Sequence, residues 1–433
     1  METSRFILFL LLFAVSAEGA VVRTVDVGAA LQKGGATKGR MSALVVFAHF
    51  NDETDLARRA VPSFASDLFD ERVQGSVTHF YSEMSRGQFR IDGRVLPAWY
   101  SARSPASAYI QPAGSFTDMT REIIQDVDRD IDLGRYDNDG PDGLPNSGDD
   151  DGYVDFLFIV VRSTPPGFII GEATGIARLG LGSDYRSNDV SLSGGNIRIR
   201  ADGSNRGTGG SVQRGRNFNE AVGSMSHEFG HYLGLPDLYD TSALQESTEP
   251  EEESAGIGYW GIMGHGNRGW NERGGPNPFS AWSLAQLGWL GIENDQLTVV
   301  ESDLDNVLFN DVNEDGSVYI LRESVGQRYY LVEFRRRRAS YYERNLPAEG
   351  LLIWRINPLA AGNENERNPL VELVCADGQY ADAGFPLGQV ADPFSGRDNL
   401  DFWSADLAYR EAFGGNLGDE DDVWDGIRYT DFW

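Results

Sequence analysis

FNEAVGSMSHEFGHYLGLPDLYD, Phe218 to Asp240, is the stretch on which the rest of the chain depends. Ala221, Val222, Met225, Phe229 and Leu233 recur at helical spacing, which predicts an amphipathic helix with one buried face. On that helix His227 and His231, four residues apart, stand one turn apart on the same side. Two imidazoles aimed at one point are what a metal ion needs from a rigid scaffold. Glu228 sits beside them, placed to reach a water at the metal without ligating it. Gly234 ends the helix and Pro236 keeps it from resuming. The turn between them can swing Asp237 back as a third ligand, an ordinary oxygen donor for zinc. A buried helix with incidental histidines is the competing reading. Against it, the chain has only five histidines, and His227, His231 and His265 fall within one short window. His49 and His79 have no spaced partner and read as structural.

A chain of 433 residues has room for two or three structural units. Its net charge of −29 speaks against a nucleic-acid-binding surface and supplies carboxylates for calcium. Arg5 and the apolar run Phe6 to Val15, with small residues up to Ala17, predict a signal peptide at 1–17. That run is too short to span a bilayer, and no other stretch approaches the necessary length. With only a short segment between the expected cut and Ser42, no large inhibitory propeptide is expected. Cys375 is the one cysteine, so no intrachain disulfide forms, and stability after export falls to core burial and bound ions. The mature chain is expected to be a secreted monomer without a membrane span.

A second informative stretch, YDNDGPDGLPNSGDDDGYVD, runs from Tyr136 to Asp155. Asp137, Asp139 and Asp142 alternate with glycine, and Asp149, Asp151 and Asp155 follow. Carboxylates crowded onto a bent loop repel one another unless a cation sits among them, and calcium takes six to eight oxygens. The register is not that of an EF-hand. A solvated acidic turn is the plainer reading. A third stretch, GIGYWGIMGHGNRG at Gly256 to Gly269, places Met263 in a tight glycine-rich turn with His265 just after it.

Elsewhere, strands are expected at Ser42 to Phe50, Gln88 to Leu96 and Tyr153 to Val161. Helices are expected at Val61 to Arg86, Ser115 to Ile131 and Pro278 to Leu290. Pro165 to Arg216, rich in Gly, Ser and Asn, reads as an excursion or a set of short hairpins. Beyond Leu297 short alternating strands predominate, and Arg335 to Arg338 reads as a solvated basic edge.

These motifs together resemble the immune inhibitor A family of secreted metallopeptidases. The likeness rests on HEFGHYLGLPDLYD, the GYWGIMGHG turn and PFSAWSLAQLGWL. It extends to GSVTHFYSEMSRGQFRIDG at Gly75 to Gly93, DGYVD, YYLVEFRRR, GLLIWRI, VELVCADG and ADPFSG. The resemblance implies a metzincin-like zinc endopeptidase in which His227, His231 and Asp237 hold zinc and Glu228 is the general base. It also implies that Met263 lies under the metal and that the acidic loop binds calcium. His265 departs from the family's small residue there and is a fourth ligand, a bystander or, with Tyr239 and Tyr259, a candidate donor to the developing oxyanion. Arg355 and Asn357 replace an expected His and Asp.

The fold expected is α+β. A zincin-like catalytic domain at 18–295, with a twisted sheet and the active-site helix, precedes a β-rich C-terminal unit at 296–433. The function expected is zinc-dependent hydrolysis of peptide bonds in protein or peptide substrates. The alternative is a catalytically inactive surface module, stabilised by zinc and calcium, that binds or adheres.

Overall fold

The computed structural model describes residues 35–53, 60–169, 173–202, 209–241, 254–291, 296–314, 316–365, 368–377 and 416–430. The expected signal peptide, the stretch 246–253 that reads as an acidic surface loop, Asp315 in what reads as a hairpin turn, and the ADPFSG motif lie outside these residues. The chain is a mixed α/β protein with few helices and several sheets. It divides into two compact units, one comprising Gln32–Leu235 with Gly274–Pro276, the other containing Pro236–Arg273 and Asn277–Trp433.

The first unit is built on a five-stranded sheet. Its strands are β1 (Gly39–His49), β2 (Phe89–Ser101), β3 (Phe156–Val161), β4 (Gly175–Ile176) and β7 (Gly210–Arg214), in the order β2-β1-β3-β7-β4. All neighbours run parallel except β4, which is antiparallel to β7 at the edge. In β3, FLFIVV, every residue is buried, as befits a parallel strand covered on both faces. Its side chains alternate between two cores. Leu157, Ile159 and Val161 join Met119, Ile123 and Val127 of helix α2 (Phe116–Asp130). Phe156 faces the other way, onto Phe229 of helix α3 (Phe218–Tyr232), with ring centroids 4.9 Å apart.

Helix α2 forms where its four-residue repeat predicts, and a capping box between Ser115 and Asp118 starts it. The expected helix from Val61 to Arg86 is instead interrupted. A short 3-10 turn, Ser63–Asp67, precedes α1 (Val77–Met84), because Gly75 adopts φ +86° and Ser76 caps α1 through the His79 N–H. Strand β2 runs on past Pro97, which an edge strand tolerates. The glycine-rich excursion contains β4, the hairpin β5 (Tyr185–Val190) with β6 (Asn196–Ile199), and β7.

The second unit holds a sheet in the order β12-β11-β10-β9-β8. Its strands are β8 (Leu297–Val299), β9 (Val318–Arg322), β10 (Tyr329–Arg335), β11 (Gly350–Ile356) and β12 (Val371–Leu373). Pairing is antiparallel throughout except between β8 and β9. Helix α4 is confined to Ala281–Gln286, shorter than Pro278 to Leu290, with Ser280 as its N-cap and Gly288 at φ +69° beyond its end. Arg335 is not solvated: it is 1% exposed and donates to the Phe279 carbonyl, Glu333 and Glu343, while the Trp354 indole also donates to Glu333. Carboxylate partners are what allow a guanidinium into a core. Arg336, Arg337 and Arg338 do remain exposed. Near the C-terminus, Asp422 accepts from the Trp260 indole at 2.6 Å, the Leu417 carbonyl accepts from the Tyr259 N–H, and Trp424 bridges to Leu351 of β11.

Candidate active site

Helix α3 carries the central residues, and each of its boundaries has an identifiable cause. Asn217 caps it by accepting the Glu220 N–H at 3.0 Å. Arg214, at the end of β7, pairs with Glu220 at 2.7 Å in a largely buried setting, tying strand to helix. The inner face is anchored by Phe229, packed among Tyr81, Phe89, Phe156 and Tyr232. Tyr81 adds a hydrogen bond from its hydroxyl to the Ser226 carbonyl at 2.6 Å.

The C-terminal turn is a Schellman motif. Gly234, at φ +103°, donates to the His231 carbonyl, and Leu235 donates to the Gly230 carbonyl. The same turn brings the Leu235 carbonyl to 2.8 Å from His231 Nδ1. A carbonyl only accepts, so Nδ1 carries the proton and Nε2 keeps its lone pair for a ligand. His231 Nε2 lies 3.2 Å from His227 Nε2. Two nitrogens on one tetrahedral zinc, each ~2.05 Å from it, stand ~3.3 Å apart. The pair therefore fits a shared ion. Ligand atoms of His227, Glu228 and His231 all lie within 4.8 Å of one another, with His227 and Glu228 buried.

Asp237, Tyr239, Tyr259, Met263 and His265 belong to the second unit, where Asp237 lies on a short loop docked to the glycine-rich turn. Leu238 donates to the Met263 carbonyl at 2.8 Å and Ile257 donates to the Leu238 carbonyl at 3.0 Å. Gly256, at φ +59°, is pressed against Leu238 so closely that a Cβ would fall 1.8 Å from its carbonyl oxygen. Met263 is buried, the Tyr239 and His265 rings are 4.9 Å apart, and Tyr259 packs edge-on against Trp270.

Of the six acidic-loop residues, the structure brings Asp137, Asp139 and Asp151 within 4.8 Å of one another. Oxygens around one calcium, at ~2.4 Å each, are at most ~5 Å apart. Asp137 is fully buried, and among the described residues neither of its carboxylate oxygens has a partner at good hydrogen-bond geometry, the Gly152 N–H being the nearest donor to act on it. Burial first, then the charges of Asp150, Asp151 and Asp139, push its pKa up to about 7. A buried carboxylate in this state fits a cation. Asp151 is also ion-paired with Arg200, whose guanidinium stacks 3.9 Å above the Tyr153 ring. Asp155, which is not in that group, accepts the Ser42 and Asn138 N–H groups and is driven up to about 8 by burial, with the charges of Asp139 and Asp137 adding to it. Asp142 accepts the Leu144 N–H, and Asp149 accepts the Asp142 N–H and the Ser147 hydroxyl, so both shape the loop. Asp150, which the sequence reading passed over, organises it by accepting the Gly140 and Ser147 N–H groups.

Residues 62–291, more than half of the chain, match the immune inhibitor A peptidase M6 catalytic domain, and the chain belongs to this family of metallopeptidases. Over 251 residues it is 28% identical to the pre-pro-metalloprotease PrtV of Vibrio cholerae, an alignment covering 52% of this chain and 25% of that protein. Over 205 residues it is 27% identical to immune inhibitor A of Bacillus thuringiensis subsp. alesti, covering 43% of this chain and 28% of that one. The matched region thus spans only about a quarter of either relative. The crystal structure of catalytic inactive OgpA from Akkermansia muciniphila, in complex with an O-glycopeptide substrate, aligns with 81% of this chain and 96% of its own. Identity there is 13% and the TM-score 0.26, too low to define a shared fold.

Proposed function

We propose that this chain is a secreted zinc-dependent endopeptidase that hydrolyses peptide bonds in proteins. His227, His231 and Asp237 are the zinc ligands and Glu228 is the general base. The observation that carries the proposal is the pair of Nε2 atoms 3.2 Å apart, one with its tautomer set by the Leu235 carbonyl, with Glu228 beside them. Zinc, when bound there, supplies Lewis-acid chemistry that acidifies water and polarises a carbonyl. Glu228 takes a proton from the attacking water as its oxygen adds to the scissile carbonyl carbon. It then returns the proton to the amide nitrogen as the C–N bond breaks. Charge on the former carbonyl oxygen needs a further donor, and His265, Tyr239 and Tyr259 are the candidates. Met263 lies under the metal, and its carbonyl holds the loop that follows Asp237 through the Leu238 N–H.

Calcium, held by Asp137, Asp139 and Asp151, orders the loop that leads directly into β3. Export follows cleavage of a signal peptide at 1–17. Among the described residues no helix is long and apolar enough to cross a membrane.

The test is Glu228→Gln in zinc-loaded protein with casein as substrate. Zinc content should stay at that of the wild type while cleavage falls by about 10²–10⁴-fold. Undiminished turnover refutes the assigned base. Zinc retention without cleavage in the wild type itself, with and without calcium, would instead support a binding module.

A further inference from the structure

Gly175 lies on β4, the antiparallel edge strand, opposite Gln213 of β7. A glycine in a strand usually marks a bulge, a turn or a close approach. The first two explanations fail here. The ladder is regular at this point, the neighbouring Thr174 carbonyl accepts the Arg214 N–H at 2.8 Å, and Gly175 is not among the glycines with positive φ. Its backbone would accept any residue.

The third explanation holds. A Cβ built on Gly175 would stand 2.4 Å from Glu228 Oε1 and 2.9 Å from both its Cδ and its Cγ. Three atoms of one side chain fall inside the distance that real methyl contacts keep, so the obstruction is to the whole end of Glu228. We propose that Gly175 is a positioning residue for Glu228: the space left by its missing side chain is the seat of the carboxylate. The proposal rests on the role of Glu228 given above. It assigns to β4 a steric function. A methyl group at 175 would push the carboxylate off its position while leaving the imidazoles alone, so the reaction would suffer and the metal would not.

Shortening the acid by one methylene should make room for the added methyl, which gives the test. Wild type, Gly175→Ala, Glu228→Asp and the double variant are compared on a fluorogenic peptide at full zinc loading. Gly175→Ala should lower kcat at least about tenfold, with KM and zinc content near wild type. In the Glu228→Asp background the same change should cost less than about twofold. An equal loss in both backgrounds, or no loss in the wild type, overturns the proposal. A readout independent of turnover is the melting temperature of the metal-free proteins. Gly175→Ala should lower it when Glu228 is present and leave it unchanged or raise it in Glu228→Ala. A loss that persists without Glu228 also overturns the proposal. The melting series separates the two ideas: if Glu228→Gln retained turnover, the base assignment would fall while the seat would still be tested.

Discussion

Replacing Gly234 by alanine should loosen zinc through a residue that does not touch it. At φ +103° a side chain is strained by about 1–3 kcal/mol. The turn it belongs to is held by two backbone hydrogen bonds, Gly234 N–H to His231 and Leu235 N–H to Gly230, at 2.9 and 3.0 Å. At about 1 kcal/mol each they total about 2 kcal/mol, comparable to the strain, so the turn should open for much of the time. When it opens, the Leu235 carbonyl leaves His231 Nδ1 and the fixed tautomer is lost. Removing such a partner typically costs 10–100-fold in metal affinity. Competition against a chromogenic chelator at pH 7.5 measures this, with melting of the metal-free protein in parallel. Gly234→Asn, better able to adopt positive φ, should fall between glycine and alanine. If alanine destabilises the metal-free protein as expected but zinc affinity stays within about twofold, the Leu235 carbonyl does not govern the site.

Phe229→Ala should destabilise the protein by about 3–5 kcal/mol, because it empties a fully buried place among four aromatic rings; a loss of unfolding free energy in urea below about 1 kcal/mol would contradict that packing. Asp137→Asn should abolish the rise in melting temperature on adding calcium and leave zinc content alone; an undiminished rise would place calcium elsewhere. Burial raises the Asp422 carboxyl from its ordinary 3.8 to about 7. The native protein then keeps a proton that the unfolded chain releases, so its contribution to stability is complete below about pH 4 and is lost as pH climbs to about 7. The melting temperature of Asp422→Asn relative to wild type should therefore increase between pH 4.5 and pH 8, and a constant difference would refute the assignment.

Helix α3 was legible because its signals are local. Histidine spacing, the apolar repeat, Gly234 and Pro236 all act within a few residues of one another. Helix α2 and strand β3 were legible for the same reason. What escaped was non-local. The division of the 61–86 segment depends on the backbone angle of Gly75, and the shortness of α4 on its surroundings. Burial of Arg335 needs Glu333 close by and Glu343 from a separate turn. Gly175 sits in a glycine-rich stretch whose composition indicates an excursion or short hairpins and singles out no one glycine; its closeness to Glu228 follows from the placement of β4. The acidic loop was recognised by composition, but composition did not distinguish the buried Asp137 from Asp142 and Asp149 on the surface.

The bond between the Trp260 indole and Asp422 joins positions 162 residues apart. During synthesis the glycine-rich turn leaves the ribosome long before its partner has been made. Until then the indole N–H lacks its acceptor and the outer end of β11 lacks Trp424. Closing so long a loop is slow compared with helix or hairpin formation. The order of translation thus delays completion of the unit that holds the glycine-rich turn until residue 422 has been made.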